Sequence, residues 1–111
     1  MVQARYQDAI DACLDCAEAC DACAAGSRKE PEGGRLNRCL ALTLDCADFC
    51  RLAATFMKRD SEFIDLICQD CAEICQMCAA ECEQFPMDYS QKCVLACRKC
   101  AETCLSTSTM Q

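Results

Sequence analysis

The chain contains no histidine and no tryptophan, and only four phenylalanines, two tyrosines, three glycines and two prolines. Without histidine there is no imidazole to act as a base near neutral pH, and no Glu-x-x-His pair for a di-iron site inside a helical bundle. The interior carboxylates that a ferroxidase needs are missing as well. With so few aromatic residues, the periodic apolar positions fall mainly to alanine and cysteine. Gly26, Gly33 and Gly34 all lie in one stretch with Pro31, which is the only long break in an otherwise helical pattern. Positive charge is scarce too: eleven Lys and Arg stand against eighteen Asp and Glu, a formal charge of −7, with no basic cluster. That balance argues against nucleic acid and anionic membranes as partners, and the acidic residues read as a solvated surface. No apolar run is long enough for a membrane span, and the opening Met1-Val-Gln-Ala-Arg-Tyr-Gln-Asp has no signal-peptide core. The expectation is a cytoplasmic protein in a reducing compartment, where thiols persist as thiols.

What the chain has in abundance is cysteine, sixteen in all. The densest stretch carries Cys68, Cys71, Cys75, Cys78 and Cys82 at alternating gaps of three and four. Residues at that spacing lie over one another on an α-helix, whereas a strand would send them to opposite faces. The same rhythm appears at Cys13, Cys16, Cys20 and Cys23, and again at Cys93, Cys97, Cys100 and Cys104. A sparser version reads Cys39, Cys46 and Cys50, with Thr43 at the stripe position between the first two. Every cysteine belongs to one of these stripes.

Helix signals place the elements at about 2–25, 33–58, 61–84 and 89–105. Gly26-Ser27 reads as a helix stop, Asp60 as an N-cap and Pro86 as a barrier to further helix. Asp88-Tyr-Ser-Gln91 reads as a capping-box variant, and the polar tail 106–111 as frayed. Helices of this length with short connections make an all-α, antiparallel up-down-up-down four-helix bundle, with residues 1–111 as a single domain. The sulfur stripes occupy the inward positions, so the core is lined with cysteine. The 26–34 linker and the 85–88 turn fall at one end. At the other end Tyr6, Ile10, Phe56, Met57, Phe63, Ile64 and Ile67 form an apolar plug, so metal is expected to pass at the linker end, where Met87 is a weak candidate relay.

A buried cysteine can serve as a small hydrophobe, but a bundle selected for packing alone would choose leucine. No βαβ pattern surrounds any Cys-x-x-Cys, so thioredoxin-like chemistry does not fit, and cysteines in continuous helix do not suit an iron–sulfur cluster. Soft thiolates select Cu(I) or Zn(II). A tetrahedral all-thiolate zinc site leaves about two negative charges uncancelled, which a core without cations tolerates poorly. Cu(I) carries one charge; with bridging sulfurs, about one ion per cysteine gives a neutral core and a capacity on the order of sixteen ions. Cysteines four apart, such as Cys16/Cys20, Cys46/Cys50, Cys71/Cys75, Cys78/Cys82, Cys93/Cys97 and Cys100/Cys104, are placed to pinch an ion on one helix. Cys13, Cys23, Cys39 and Cys68 are left to serve ions between helices.

The tandem Cys-x-x-x-Cys helices, the Asp60-Ser61-x-Phe63 turn after Phe56-Met57, and Asp45-Cys46-Ala47-Asp48-x-Cys50 together resemble the bacterial copper storage proteins, most strongly their cytosolic branch. The resemblance covers nearly the whole chain. It implies a helical bundle that packs many Cu(I) ions through the cysteines named above, and usually a homotetramer, for which outward Leu40, Leu44, Ile74 and Val94 offer an apolar seam. Two departures stand out: histidines usual near the mouth are replaced here by Phe85-Pro-Met-Asp-Tyr, and Thr43 leaves a gap in the array. The reading is a non-enzymatic Cu(I) storage and detoxification protein that exchanges copper with a chaperone or recipient. A zinc or cadmium buffer of metallothionein type and a thiol–disulfide redox module are the alternatives.

Overall fold

A computed structural model describes residues 2–31 and 33–109 of the protein. Four helices follow one another, α1 (Val2–Lys29), α2 (Asn37–Lys58), α3 (Ile64–Cys82) and α4 (Asp88–Thr109), with a single 3-10 turn, Gly33–Leu36, leading into α2. They pack side by side as a rod 48 Å long and 19 Å across. Helix α1 lies against α2 and α4, and α3 lies against the same two. The chain therefore circles the bundle in sequence order, in the antiparallel arrangement that the short connections predict.

The inward face of each helix alternates cysteine with alanine. Ala9, Ala12, Ala17, Ala47, Ala53, Ala54, Ala72, Ala79 and Ala101 are buried beside the sulfurs. Interaxial distance depends on the side chains at the contact, so these small residues let the helices close until sulfurs meet across the middle. Ion pairs fasten neighbouring helices from outside: Arg38 Nη1 to Glu81 Oε1 at 2.9 Å, Arg98 Nη2 to Glu83 Oε2 at 2.9 Å, and Arg51 to Asp21.

The helix ends differ from the sequence expectation in instructive ways. Helix α1 does not stop at Gly26-Ser27 but runs on to Lys29. Gly26 is needed for close approach instead: the Tyr89 ring lies on it, and a Cβ there would sit 2.5 Å from Tyr89 Cε2. The Tyr89 hydroxyl then donates to Glu30 Oε2 at 2.9 Å, tying the start of α4 to the end of α1. Asp60 is not an N-cap. It adopts φ 54°, the left-handed conformation that ends many helices, while Asp60 N–H bonds Met57 O and Ser61 N–H bonds Phe56 O. These are the two crossing bonds of a Schellman stop. Helix α3 starts only at Ile64 and ends at Cys82, with Ser61 Oγ accepting from Phe63 N–H at 3.0 Å.

Helix α4 begins at Asp88, and Gln91 reaches back to donate to Phe85 O rather than closing a capping box on Asp88. The expected fraying at 106–109 is absent: Thr107 and Ser108 are buried, and Ser108 accepts from Gln69 Nε2 at 2.9 Å and donates to Asp65. The last two residues of that tail, 110 and 111, lie outside the described residues.

At the end away from the linker, Tyr6, Ile10, Met57, Ile64 and Ile67 are buried and Phe56 packs partly against them, as the plug requires. Phe63 does not join; it sits in the turn before α3 rather than on its inner face and is 53% exposed. Val94, read as outward, is buried. It flanks Cys93 on α4, on the side that packs against neighbouring helices. Asp60→Gly should raise the thermal midpoint of the reduced, metal-free protein, by about 0.5–1 kcal/mol of stability, because glycine adopts the left-handed stop without the Cβ clash. A lower midpoint would contradict the assignment of that turn.

Candidate metal centre

All sixteen cysteines are free and buried, each with no more than 1% of its surface exposed. Their sulfurs form one connected column. The closest approaches join different helices: Cys39 to Cys82 at 3.5 Å, Cys13 to Cys104 at 3.6 Å and Cys16 to Cys97 at 3.6 Å. Contacts also cross the bundle diagonally, Cys16 to Cys75 at 4.0 Å and Cys50 to Cys100 at 3.9 Å. The pairs expected on single helices are looser, Cys16/Cys20 at 4.0 Å, Cys46/Cys50 at 4.0 Å and Cys93/Cys97 at 3.9 Å. Same-helix and inter-helix pairs thus fall within the same narrow range, and either can bracket one ion.

Four-sulfur groups recur along the column, each with all its sulfurs within 4.8 Å of one another. Among them are Cys13/Cys71/Cys100/Cys104, Cys50/Cys71/Cys75/Cys100, Cys16/Cys46/Cys50/Cys75, Cys16/Cys20/Cys46/Cys97 and Cys20/Cys78/Cys93/Cys97. Consecutive groups share members, so a sulfur such as Cys50 or Cys16 faces two sites at once. With metal–thiolate bonds of about 2.3 Å, trigonal coordination separates sulfurs by about 4.0 Å and tetrahedral coordination by about 3.8 Å. The observed spacings suit either geometry, so charge must discriminate. Among the described residues the one buried charged side chain is Glu81, an acid; no Lys or Arg is buried.

Protons are distributed unevenly in this network. Cys75 and Cys50 are pushed up, first by the Cys100 thiol and then by other sulfurs and burial. Cys16 and Cys71 are drawn down because Cys100 and further thiols direct hydrogens at them. Sharing moves protons among sulfurs. It does not remove the cost of net charge in a core without cations, so without metal the column holds its protons as thiols.

The two ends differ. Near the linker, Cys23, Cys39 and Cys82 form a triad with edges of 3.9, 4.0 and 3.5 Å. Leu36 and Phe85 are buried over it, Arg35 stacks on Phe85, and Met87 and Tyr89 pack partly against the core. The stripes continue there as Ser27 and Ser90, both buried with no conventional hydrogen-bond partner for their hydroxyls. Ser27 nevertheless favours the Cys39 thiolate, a minor effect beside that of Cys23, and Cys39 ends up raised to about 11. Thr43 is fully buried and donates to Leu40 O at 3.0 Å. It does not interrupt the column, because Cys82 reaches Cys93 at 3.9 Å and Cys93 reaches Cys20 at 3.7 Å. At the opposite end, Met57 Sδ lies 3.8 Å from Cys68 Sγ. Met57 is buried with the plug as expected, and it also lies one stripe step beyond Ala53.

The sequence matches the copper storage protein family over residues 2–109. An uncharacterized cysteine-rich protein of Bacillus subtilis, YhjQ, is 42% identical over 103 residues, covering 92% of this chain and 95% of that one. The Cu(I)-bound copper storage protein BsCsp3 superposes with a TM-score of 0.90 at 39% identity, covering 94% of this chain and 98% of its own. A cytosolic copper storage protein from Streptomyces lividans, solved with five coppers, gives a TM-score of 0.91 at 30% identity, covering 96% and 94%.

The thiol protons have a consequence for the metal-free protein. An unfolded cysteine ionises near its ordinary value of 9.0, whereas Cys39 in the fold, held up chiefly by its hydrogen bond with Cys23, ionises at about 11. Between those values the unfolded chain binds fewer protons, so stability falls as pH rises. The contribution of Cys39 is therefore fully present below pH 9, and chemical denaturation of reduced protein should show stability falling from pH 9 toward pH 11. Constant or increasing stability across that window would contradict a protonated column.

Proposed function

The chain belongs to the copper storage protein family, and from that premise we propose that it stores and detoxifies Cu(I) in the cytosol, with Cys13, Cys16, Cys20, Cys23, Cys39, Cys46, Cys50, Cys68, Cys71, Cys75, Cys78, Cys82, Cys93, Cys97, Cys100 and Cys104 as its ligands. The observation that carries this reading is a continuous buried sulfur column with no buried cation beside it among the described residues. Each thiolate needs one positive charge from the metal, and a bridged cuprous array supplies one per sulfur. The shared members of successive sulfur groups suit bridging.

Storage rather than catalysis fits the same features. The column is lined by sulfur, without histidine anywhere in the chain, and bound ions fill the space a substrate would need. The cytosolic assignment draws on the Streptomyces relative, described as a cytosolic copper storage protein. Copper passes at the linker end, through the Cys23/Cys39/Cys82 triad, from a chaperone or to a recipient protein.

Anaerobic titration of reduced protein with Cu(I) against a competing chelator tests the assignment. Saturation on the order of sixteen ions per chain is expected, about one per thiol. Tight binding of only about four divalent ions would favour a zinc or cadmium buffer instead, and ready loss of thiols on mild oxidation with helicity intact would favour a redox module.

The assembly we propose is a homotetramer. The family resemblance supports it, and Leu66 and Leu95, at 60% and 70% exposure, supply apolar surface for it in place of buried Val94. Sedimentation equilibrium should return four times the 12.2 kDa chain mass; a monomer at micromolar concentration would refute the tetramer alone.

A further inference from the structure

The stripe on α2 continues past its last cysteine. The alternating gaps that link Cys46 and Cys50 lead on to Ala53 and then Met57. Met57 is the bulkiest side chain in the protein that is wholly removed from solvent among the described residues. Its thioether lies 3.8 Å from the sulfur of Cys68, the first cysteine of α3. That spacing matches the thiol pairs of the column, 3.8 Å for Cys50/Cys71 and 3.7 Å for Cys46/Cys75.

We propose that Met57 is itself a copper ligand, and that Met57 Sδ and Cys68 Sγ together form a mixed thioether–thiolate Cu(I) site closing the array at the end away from the linker. The proposal rests on the copper storage reading and extends it by one ligand of a different kind.

Charge is the reason a thioether belongs there. A thiolate in the middle of the column shares its negative charge between ions on both sides. Cys68 stands at the end, with Cys104, Cys13 and Cys71 as its sulfur neighbours inward and the apolar plug of Tyr6, Ile10, Ile64 and Ile67 beyond. A second thiolate at position 57 would place one more negative charge against that plug. A thioether is soft enough for Cu(I) yet carries no charge and no proton, so an ion held by Met57 and Cys68 is neutral. For packing alone, leucine fills nearly the same volume and would serve as well.

The test uses the full chain labelled with selenomethionine, reduced and loaded anaerobically with Cu(I), and read by X-ray absorption at the selenium edge. The proposal predicts copper in the first shell of selenium, and loss of that shell in Met57→Leu, in which Met77 and Met87 keep their labels. The variant should also saturate with about one ion fewer per chain. A selenium edge without a copper neighbour, or one unchanged by Met57→Leu, would overturn the Met57 site. If copper fills the thiols without a selenium neighbour, storage stands and this site falls. If reduced wild-type protein takes up no cuprous ion, both fall together. Should Met57→Leu fail to fold, Met87→Leu decides instead: a copper shell kept at selenium there supports the Met57 site, and one lost there overturns it.

Discussion

A thiolate cannot be buried alone. Moving an ionised group into a low-dielectric interior costs far more than any packing gain there can return, so it stays protonated or meets a positive charge. This protein places sixteen thiols inside one bundle and buries no lysine or arginine beside them among the described residues. The metal has to bring the compensating charge, and its valence then sets the stoichiometry. A monovalent ion shared among bridging sulfurs balances the column; a divalent ion in a four-sulfur site does not.

The rest of the architecture serves the approach of sulfur to sulfur. Alanines flank the cysteine stripes so that the helices can close. Gly26 admits the Tyr89 ring, which ties α1 to α4 close to the Cys23/Cys39/Cys82 triad. The Arg38–Glu81 pair holds α2 to α3 at the level of Cys39 and Cys82. At the other end, buried Ser108 links Asp65 and Gln69 of α3 to α4, outside the plug that closes the column. Both ends of the column are thus fastened by contacts between helices, at the linker end around the triad and at the other around the plug.

Much of this was legible in the residues, since a three-and-four spacing admits only a helix and its inward face must be the sulfur face. The bundle, its order and the burial of each cysteine follow from that periodicity. Helix ends were less legible because they depend on contacts distant in sequence. Gly26 carries the chemistry of a stop, but the ring of Tyr89, from another helix, lies on it. Asp60 carried the chemistry of an N-cap but holds the left-handed position that ends α2. Thr43 looked like a break in the array, but the sulfur path passes around it through α4, which a reading of α2 alone could not reveal. Met57 is plug by its chemistry and its burial, and its register also continues the α2 stripe.

Proton counting tests the central claim most directly, because each thiol that becomes a copper-bound thiolate releases a proton. Potentiometric titration of reduced, metal-free protein at neutral pH with Cu(I) to saturation should release about one proton per ion bound, the signature of a neutral array. Release of two or more protons per ion would mean that thiolate charge accumulates uncompensated in the core, and would contradict the account.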